Sequence, residues 1–333
     1  MMSGGSSSIG VAVAICCCLQ AGVRSSAARG KTMRRDTGSI HIRVPLLQST
    51  SPRMIEVVDL TKSFPISRQQ RRELAAAGAP APGHAPASVP GAAGASSLQA
   101  VAGASFRCSP GRVFALLGPN GAGKTTVLRM IATLLRPDGG RISIAGVDAL
   151  ADPVAARRKL GFLTGSTKLY ERLTAEENVR YAADLHGVGA GDYKRRRDAL
   201  FAALGIDAYA GRRAGQLSTG MRQKVAIART IIHDPEVVVF DEATSGLDVI
   251  AARAIIQLIQ DCRAQGKTVL FSTHIMSEVT MLADDLAVFH RGRVLAMGGL
   301  EEVLARAVDE RGQRRTLEDE FVRLIDAAEG VRA

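Results

Sequence analysis

Residues 118–126 are Gly118, Pro119, Asn120, Gly121, Ala122, Gly123, Lys124, Thr125 and Thr126. They contain the pattern G-x-x-x-x-G-K-[ST], preceded by the apolar run 113–117 and followed by a helical pattern over 126–135. Glycines let the backbone bend so that successive N–H groups converge on phosphate oxygens, and the positive end of the next helix favours their charge. We therefore predict a nucleotide site in which Lys124 reaches the β- and γ-phosphates and the Thr125 hydroxyl ligates Mg²⁺.

A second motif is an acidic pair at the end of an apolar run. Residues 237–240 are Val-Val-Val-Phe, and Asp241 and Glu242 follow directly. By itself, a strand followed by two acids is a common strand-to-turn junction. Beside a phosphate loop in a parallel sheet, Asp241 suits Mg²⁺ through water and Glu242 suits polarising the attacking water. The two motifs together predict hydrolysis of a bound nucleotide.

Strand and helix patterns alternate through the rest of the chain, which predicts an α/β fold. Several strands are continuous apolar runs, as expected when both faces of a parallel sheet are covered. Three helix starts are legible: Asp152-Pro153, the capping box Thr174 to Glu177, and Thr316 to Asp319. Residues 168–233 are predicted to be nearly all helical. The predicted strands are 54–60, 98–106, 112–117, 141–144, 161–163, 237–240, 268–272, 286–290 and 294–297.

Two segments do not fit this pattern. Residues 1–53 are rich in Ser, Gly and Arg without a sustained period, and they predict a disordered leader or a translation start placed too early, with Met54 as the true one. Residues 65–98 are mostly Ala, Pro, Gly and Ser and have too little apolar surface to offset the entropy of ordering. A short helix over 68–77 is the only element predicted there. The prediction is one domain over 54–330 with a low-complexity insertion.

Composition narrows the function classes. With 46% hydrophobic and 23% charged residues, the chain is not wholly disordered. The net charge of +11 raises nucleic acid or anionic lipid as partners, but +6 of it belongs to residues 1–53. The longest apolar run, 9–19, is too short to span a membrane, and no basic residue precedes it as in a signal peptide. Of the five cysteines, Cys108 and Cys262 lie in the predicted domain outside any C-x-x-C pair, which favours a reduced, cytosolic setting.

Further motifs occur in order along the chain. Residues 217–224 are Leu-Ser-Thr-Gly-Met-Arg-Gln-Lys, residues 245–248 are Ser-Gly-Leu-Asp, and residues 272–274 are Ser-Thr-His. With the phosphate loop and the acidic pair, these resemble the signature motif, D-loop and switch histidine of ATP-binding cassette (ABC) transporters. Thr219 stands where Gly is commoner in that family. The resemblance covers about 54–64 and 98–330.

The resemblance implies a P-loop NTPase cassette: an α/β fold with a mainly parallel core sheet, an antiparallel β subdomain and an inserted helical subdomain at about 165–233. It implies ATP and Mg²⁺ as ligands, with Lys124, Glu242 and His274 catalytic and Thr125 and Asp241 at the metal. Phe64 would stack on adenine. Apart from its motif, Ser218 predicts only a helix N-cap; in the family, Ser218 and Gly220 would face the γ-phosphate bound on the opposite subunit.

The resemblance also implies partners and a location. Two nucleotide-binding domains, identical or different, would close around ATP, and a separate transmembrane permease would use the cycle for transport. The chain would then be cytoplasmic and peripheral on the inner face of the cell membrane. Residues 161–174 resemble the sodium-extrusion NatA-type branch of exporters, and 316–321 are similar to exporter ATPases.

One position departs from the family pattern. Gly165 falls where a Gln is expected at the start of the helical subdomain, and glycine has no side chain to touch Mg²⁺ or water. Thr164, Ser166 and Thr167 remain alternatives for that role.

Two other functions stay open from the sequence. One is a soluble ABC-type ATPase that acts on ribosomes or DNA. Against it, the chain has one cassette, only 94 residues separate Lys124 from Ser218, and 4% aromatics without Trp provide little stacking surface. The other is a non-catalytic binding module, which the presence of both Lys124 and Glu242 disfavours. We therefore expect no nucleic acid partner.

Overall fold

A computed structural model describes residues 54–65, 97–165, 168–246, 249–307 and 315–330. The strands are β1 (Ile55–Pro65), β2 (Ser97–Cys108), β3 (Val113–Leu117), β4 (Gly139–Ile144), β5 (Val147–Asp148), β6 (Leu160–Thr164), β7 (Val237–Asp241), β8 (Thr268–Thr273), β9 (Asp285–His290) and β10 (Arg293–Gly299). The helices are α1 (Lys124–Ile131), α2 (Pro153–Arg158), α3 (Ala175–Leu185), α4 (Ala190–Leu204), α5 (Thr219–Ile231), α6 (Val249–Ala264), α7 (Met276–Leu282), α8 (Leu300–Arg306) and α9 (Leu317–Glu329).

The strands form two sheets. One has six strands in the order β10-β9-β3-β8-β7-β6, and all of its neighbouring pairs are parallel except β10 with β9. The other has four antiparallel strands in the order β2-β1-β4-β5. The predicted α/β class with a mainly parallel core sheet and an antiparallel β part is confirmed.

Both faces of the six-stranded sheet are buried, which explains the continuous apolar runs in its strands. In β3, Val113, Ala115 and Leu117 belong to the core on the side of the C-terminal helices, whereas Phe114 and Leu116 belong to the core shared with α1 and the antiparallel sheet. Because side chains alternate along a strand, one five-residue apolar run supplies two cores. The order of strands places the end of β8 between the ends of β3 and β7.

The predicted helix starts are confirmed. Asp152 caps α2 with Pro153 at the first helical position, and complete capping boxes at Thr174 and Thr316 begin α3 and α9. The predicted end of α1 at residue 135 is wrong, because α1 ends at Ile131 and Thr133 adopts a left-handed φ of 56°. A residue in that conformation closes the last helical turn and directs the chain away from the helix axis.

Three helices, α3, α4 and α5, account for most of 168–233, but this region is less helical than predicted. Residues 168–174 form a loop, and 205–218 consist of turns with two short 3₁₀ helices, Asp207–Tyr209 and Ala214–Gln216. The short strand β5 was not predicted. The predicted insertion 65–98 is wrong at its ends, because Pro65 ends β1 and Ser97 and Leu98 begin β2. The leader 1–53, the rest of the insertion with its predicted helix, and residues 166, 167, 247 and 248 lie outside the described residues.

Among the described residues, no helix combines the length and apolar character needed to cross a membrane. Cys108 and Cys262 are both buried and free.

Candidate functional site

The phosphate loop is the turn between β3 and α1, and two of its glycines are required by close backbone contacts. A Cβ at Gly118 would lie 2.3 Å from the carbonyl oxygen of Phe289, and one at Gly123 would lie 2.4 Å from that of Ala100. Gly123 also has a φ of 103°, which side-chain-bearing residues rarely adopt. Thus β9 and β2 hold the loop in place from outside, and α1 begins at the next residue with its N–H groups directed at the loop.

Lys124 is 3% exposed and folds back over the loop. Its Nζ donates to the carbonyl oxygens of Gly118 (2.7 Å) and Pro119 (3.1 Å) and lies 3.3 Å from Oε1 of Glu242. Burial lowers the pKa of the Lys124 ammonium, and the nearby carboxylates of Glu242 and Asp241 oppose that shift. The site therefore holds a cation at the position where phosphate oxygens would replace its present acceptors.

Thr125 and Asp241 form a pair of oxygen donors at the start of α1. Thr125 Oγ1 donates to Asp241 Oδ1 at 3.0 Å, and Asp241 is 7% exposed at the end of β7. Thr126 follows in the same helical turn. A hydroxyl and a carboxylate at this separation are the hard ligands that Mg²⁺ prefers, so the residues fit the predicted metal.

Glu242 follows β7 with a φ of 45°, an unusual conformation for a residue with a side chain. Its Oε1 lies 3.7 Å from Nδ1 of His274, which follows the adjacent strand β8. The turn carrying His274 is held by Thr273 Oγ1, which donates to Glu278 Oε2 at 2.6 Å and accepts from the Ile275 N–H at 3.0 Å. The positive φ of Glu242 is backbone strain of the kind that is typical of functional sites.

Ser272 and Glu278 also contribute to the site, although neither was predicted from the sequence to act there. Ser272 Oγ donates to Asp241 Oδ1 at 2.8 Å and accepts from the Glu242 N–H at 3.1 Å. The available signal was a polar residue at the end of an otherwise apolar strand. The contact of Ser272 with Asp241 depends on the pairing of β8 with β7, which no local sequence pattern shows.

A model of the ABC transporter family matches residues 101–245. The chain is 44% identical over 207 residues to the ABC transporter ATP-binding protein NatA of Bacillus subtilis (strain 168), across 62% of this chain and 84% of that protein. The chain belongs to the ABC transporter family. Within this family it is an ATP-binding domain of the ATPase class.

Two further relatives show the same kinship. The daunorubicin resistance ATP-binding protein DrrA3 of Streptomyces coeruleorubidus is 36% identical over 213 residues, which are 64% of this chain and 67% of that protein. A solved ATP-binding subunit of an ABC transporter superposes with a TM-score of 0.65 and 29% identity, covering 82% of this chain and 99% of that one. The 44% identity to NatA is consistent with the NatA-type branch.

The signature segment of this ABC domain begins α5. Ser218 is the N-cap, and its Oγ accepts from the Met221 N–H at 3.3 Å, so the local prediction of a cap is confirmed. Gly220 is in the first turn of α5, and a Cβ there would meet open space. Among the hydrogen bonds of the described residues, none connects this segment to the phosphate loop.

Phe64 lies near the end of β1, opposite Leu98 of β2. Its ring is half-buried, and the Lys62 ammonium lies 5.8 Å from the ring centre. The adenine role of Phe64 stays a prediction.

Gly165 follows β6 and packs beside the acidic pair of this ABC domain. Its N–H donates to the Asp241 carbonyl oxygen at 3.3 Å, and a Cβ there would lie 3.3 Å from the Glu242 carbonyl oxygen. Thr164, the residue before it, is opposite Asp241 in the sheet. The backbone at 165 thus contacts the backbone of the acidic pair directly. Which side chain takes the place of the family's Gln stays a prediction.

Proposed function

We propose that this chain binds and hydrolyses ATP as the motor subunit of an exporter. The observation that carries the proposal is the meeting of five side chains at the mouth of one phosphate loop. They come from α1, from the end of β7 and from the turn after β8, and they include a cation, two metal-type oxygens, a carboxylate and an imidazole. These side chains are Lys124, Thr125, Asp241, Glu242 and His274.

Each of these groups has a distinct role in the proposed reaction. Lys124 leaves the loop carbonyls and binds the β- and γ-phosphates, while loop N–H groups hold the remaining oxygens. Thr125 and Asp241 hold Mg²⁺, which supplies positive charge to the phosphate oxygens. Glu242 orients and polarises the attacking water, and His274, within 3.7 Å of Glu242, faces the γ-phosphate.

A second cassette completes the site. Ser218 caps the N-terminus of α5, and a Cβ at Gly220 would meet open space, so we propose that the two residues contact the γ-phosphate bound by a partner cassette, identical or different. The positive end of α5 then faces that phosphate. ATP joins the two cassettes, and its hydrolysis releases them.

The proposed permease contact is a groove of 290 Å³ between the core and the helical layer, which is formed by α3, α4 and α5. Large apolar side chains line it and are between 43% and 69% exposed: Leu134, Tyr170, Tyr181 and Leu185. The rings of Tyr170 and Tyr181 meet edge to face at 5.3 Å, so the patch is preformed. We propose that a separate transmembrane permease docks here, which would place the chain on the inner face of the cell membrane.

The cargo passes through the permease, so this chain's residues do not contact it. We propose Na⁺ as the first cargo to test, because residues 161–174 resemble the sodium-extrusion branch. The relative DrrA3 is named for daunorubicin resistance, which makes drug export the alternative outcome. Efflux measured from vesicles that contain the partner permease, with Na⁺ or drug inside, distinguishes the two.

The function is tested by Glu242→Gln. The amide has nearly the same shape but cannot accept a proton, so ATP turnover is expected to fall by a factor of about 10²–10⁴ while ATP affinity changes less than about threefold. The matched control is Glu236→Gln, which changes an exposed carboxylate paired with Lys159 at the other end of β7. Hydrolysis at the wild-type rate in Glu242→Gln would refute the assigned role.

A further inference from the structure

Ser272 is a buried hydroxyl at the centre of the site. It lies near the end of β8, opposite Asp241 of β7 on one side and Leu116 of β3 on the other. Only 2% of its surface is exposed. The strand therefore places this buried hydroxyl beside the acidic pair.

Its single oxygen joins two parts of the acidic pair. Ser272 Oγ donates to Asp241 Oδ1 at 2.8 Å and accepts from the Glu242 N–H at 3.1 Å. The same N–H also lies 3.2 Å from the Ser272 carbonyl oxygen. Glu242 has the left-handed φ of 45°, so these contacts hold the residue in a conformation that its backbone does not favour.

Thr125 shares the same carboxylate oxygen. Its hydroxyl donates to Asp241 Oδ1 at 3.0 Å, but that hydroxyl is also the proposed metal ligand. The Thr125 oxygen can bind the metal through a lone pair while its O–H still donates to Asp241, so the position of this hydroxyl depends on the metal. The described contacts of the Ser272 hydroxyl go to the acidic pair alone, so Ser272 is a hydroxyl anchor of the carboxylate that is not itself a proposed metal ligand.

We propose that Ser272 is a positioning residue that sets the orientation of Asp241 towards Mg²⁺ and of Glu242 towards water. The inference rests on the proposed function and gives a role to Ser272, to which no motif assigned one. Groups that orient a metal-binding carboxylate act on metal affinity, because a freely turning ligand loses entropy when it binds.

The same strand offers a matched control. Thr268, at the opposite end of β8, is fully buried, and its Oγ1 donates to the Ser109 carbonyl oxygen at 3.1 Å. Thr268→Val removes a buried hydroxyl from β8 without touching the site. Any effect of losing a hydrogen bond in this strand appears in both variants, whereas loss of positioning appears only at Ser272.

The experiment uses the full chain with Ser272→Ala, Ser272→Cys, Ser272→Thr and Thr268→Val. Binding of a fluorescent ATP analogue is titrated in EDTA and then against free Mg²⁺, and ATPase kcat and KM are measured at saturating Mg²⁺. Cysteine has the shape of serine with a somewhat larger γ atom and is only a weak hydrogen-bond donor, so it tests the hydroxyl without leaving a cavity even if the alanine variant folds poorly. Threonine keeps the hydroxyl.

For Ser272→Ala and Ser272→Cys, the Mg²⁺ concentration that gives half of the maximal change in nucleotide binding is expected to rise about 10- to 100-fold, and kcat is expected to fall. The KM for ATP and the affinity for the ATP analogue in EDTA are expected to stay within about twofold of the wild-type values. Ser272→Thr retains most of the Mg²⁺ response, and Thr268→Val loses thermal stability only.

Two results overturn the inference. One is a wild-type Mg²⁺ midpoint in both Ser272→Ala and Ser272→Cys, and the other is an equal shift in Thr268→Val. If the wild-type chain hydrolyses ATP and Glu242→Gln does not, the proposed function stands, and either of these two results refutes only the positioning role of Ser272. If the wild-type chain binds nucleotide with no response to Mg²⁺, the proposed function and the inference fall together.

Discussion

Lys124 places a charged ammonium in the protein interior, and nearby acceptors offset the loss of its hydration. Its ammonium has two loop carbonyls and one carboxylate within 3.3 Å, so its donors are satisfied before any nucleotide arrives. A buried ion pair contributes little net stability, because desolvation offsets the attraction. We infer that Lys124 serves binding rather than folding.

Lys124→Met tests this separation. Without nucleotide, the free energy of unfolding is expected to fall by no more than about 1–2 kcal/mol, because the carbonyl oxygens of Gly118 and Pro119 lose a donor whereas Glu242, which is 29% exposed, can be solvated. Nucleotide at a hundred times its dissociation constant stabilises the wild type by about 2.7 kcal/mol, and the variant should lose this gain. Urea unfolding with and without Mg-ATP measures both.

The control for this variant is Lys168→Met, which removes an exposed lysine. It should respond to ATP as the wild type does. Large destabilisation of the nucleotide-free Lys124→Met variant would show that the buried cation is structural.

At the level of elements, α3 and the loop before it are joined by one buried amide. Asn178 is fully buried; its Oδ1 accepts from the Tyr170 N–H at 2.9 Å, and its Nδ2 contacts the carbonyl oxygens of Tyr170, Leu173 and Thr174 at 3.1, 3.3 and 2.9 Å. The loop 168–174 has no regular structure, so these bonds replace the ladder it lacks. This loop carries Tyr170 of the proposed permease groove.

Asn178→Ala is expected to lower the free energy of unfolding by about 2–4 kcal/mol, because it leaves several buried backbone groups without partners. Asp184→Ala on the same helix removes only an exposed ion pair with Arg180, and should cost less than about 0.5 kcal/mol. Equal unfolding midpoints for the two variants in urea would contradict the structural role of Asn178.

Over the whole molecule, the helical layer meets the core sheet at a stacked histidine pair. His186 is the C-cap of α3 and His233 follows α5. Their rings stack with centroids 3.7 Å apart. His233 Nε2 lies 3.1 Å from the Leu160 carbonyl oxygen at the start of β6. Burial, followed by the charge of His186, lowers the pKa of His233 to about 4, and burial also lowers the pKa of His186.

The pair makes stability depend on pH. In the unfolded chain a histidine has a pKa of about 6.5, so between pH 6.5 and 4 the unfolded state binds the proton that folded His233 refuses. Stability therefore falls as the pH drops through this window, by about 2 kcal/mol for His233 between pH 7 and 5. Protonation would also place charge near Arg196 and Lys267, which Asp234 only partly offsets.

Unfolding by urea at pH 7 and pH 5 measures this loss, and His233→Gln should reduce it, because glutamine does not titrate. His186→Gln is the companion variant, expected to reduce the loss as well by removing the neighbouring charge. An identical loss in wild type and both variants would place the pH dependence elsewhere in the molecule.

Much of the architecture was predictable because its signals are local. The continuous apolar runs of β3, β7 and β8 predicted buried strands, and three capping patterns placed the starts of α2, α3 and α9. The end of α1 was not predictable, since residues 132–135 continue the helical pattern in sequence. Their backbone is instead set by the left-handed turn at Thr133.

The sequence by itself determined the phosphate loop, the acidic pair and the family motifs, because each lies within one contiguous segment whose spacing is set by covalent geometry. Tertiary structure decided which of these groups touch. Glu242 contacts His274, and Asp241 contacts Ser272, only because parallel pairing of β7 with β8 aligns residues about 30 positions apart. That register follows from packing both faces of the sheet, which is a property of the whole fold rather than of any segment.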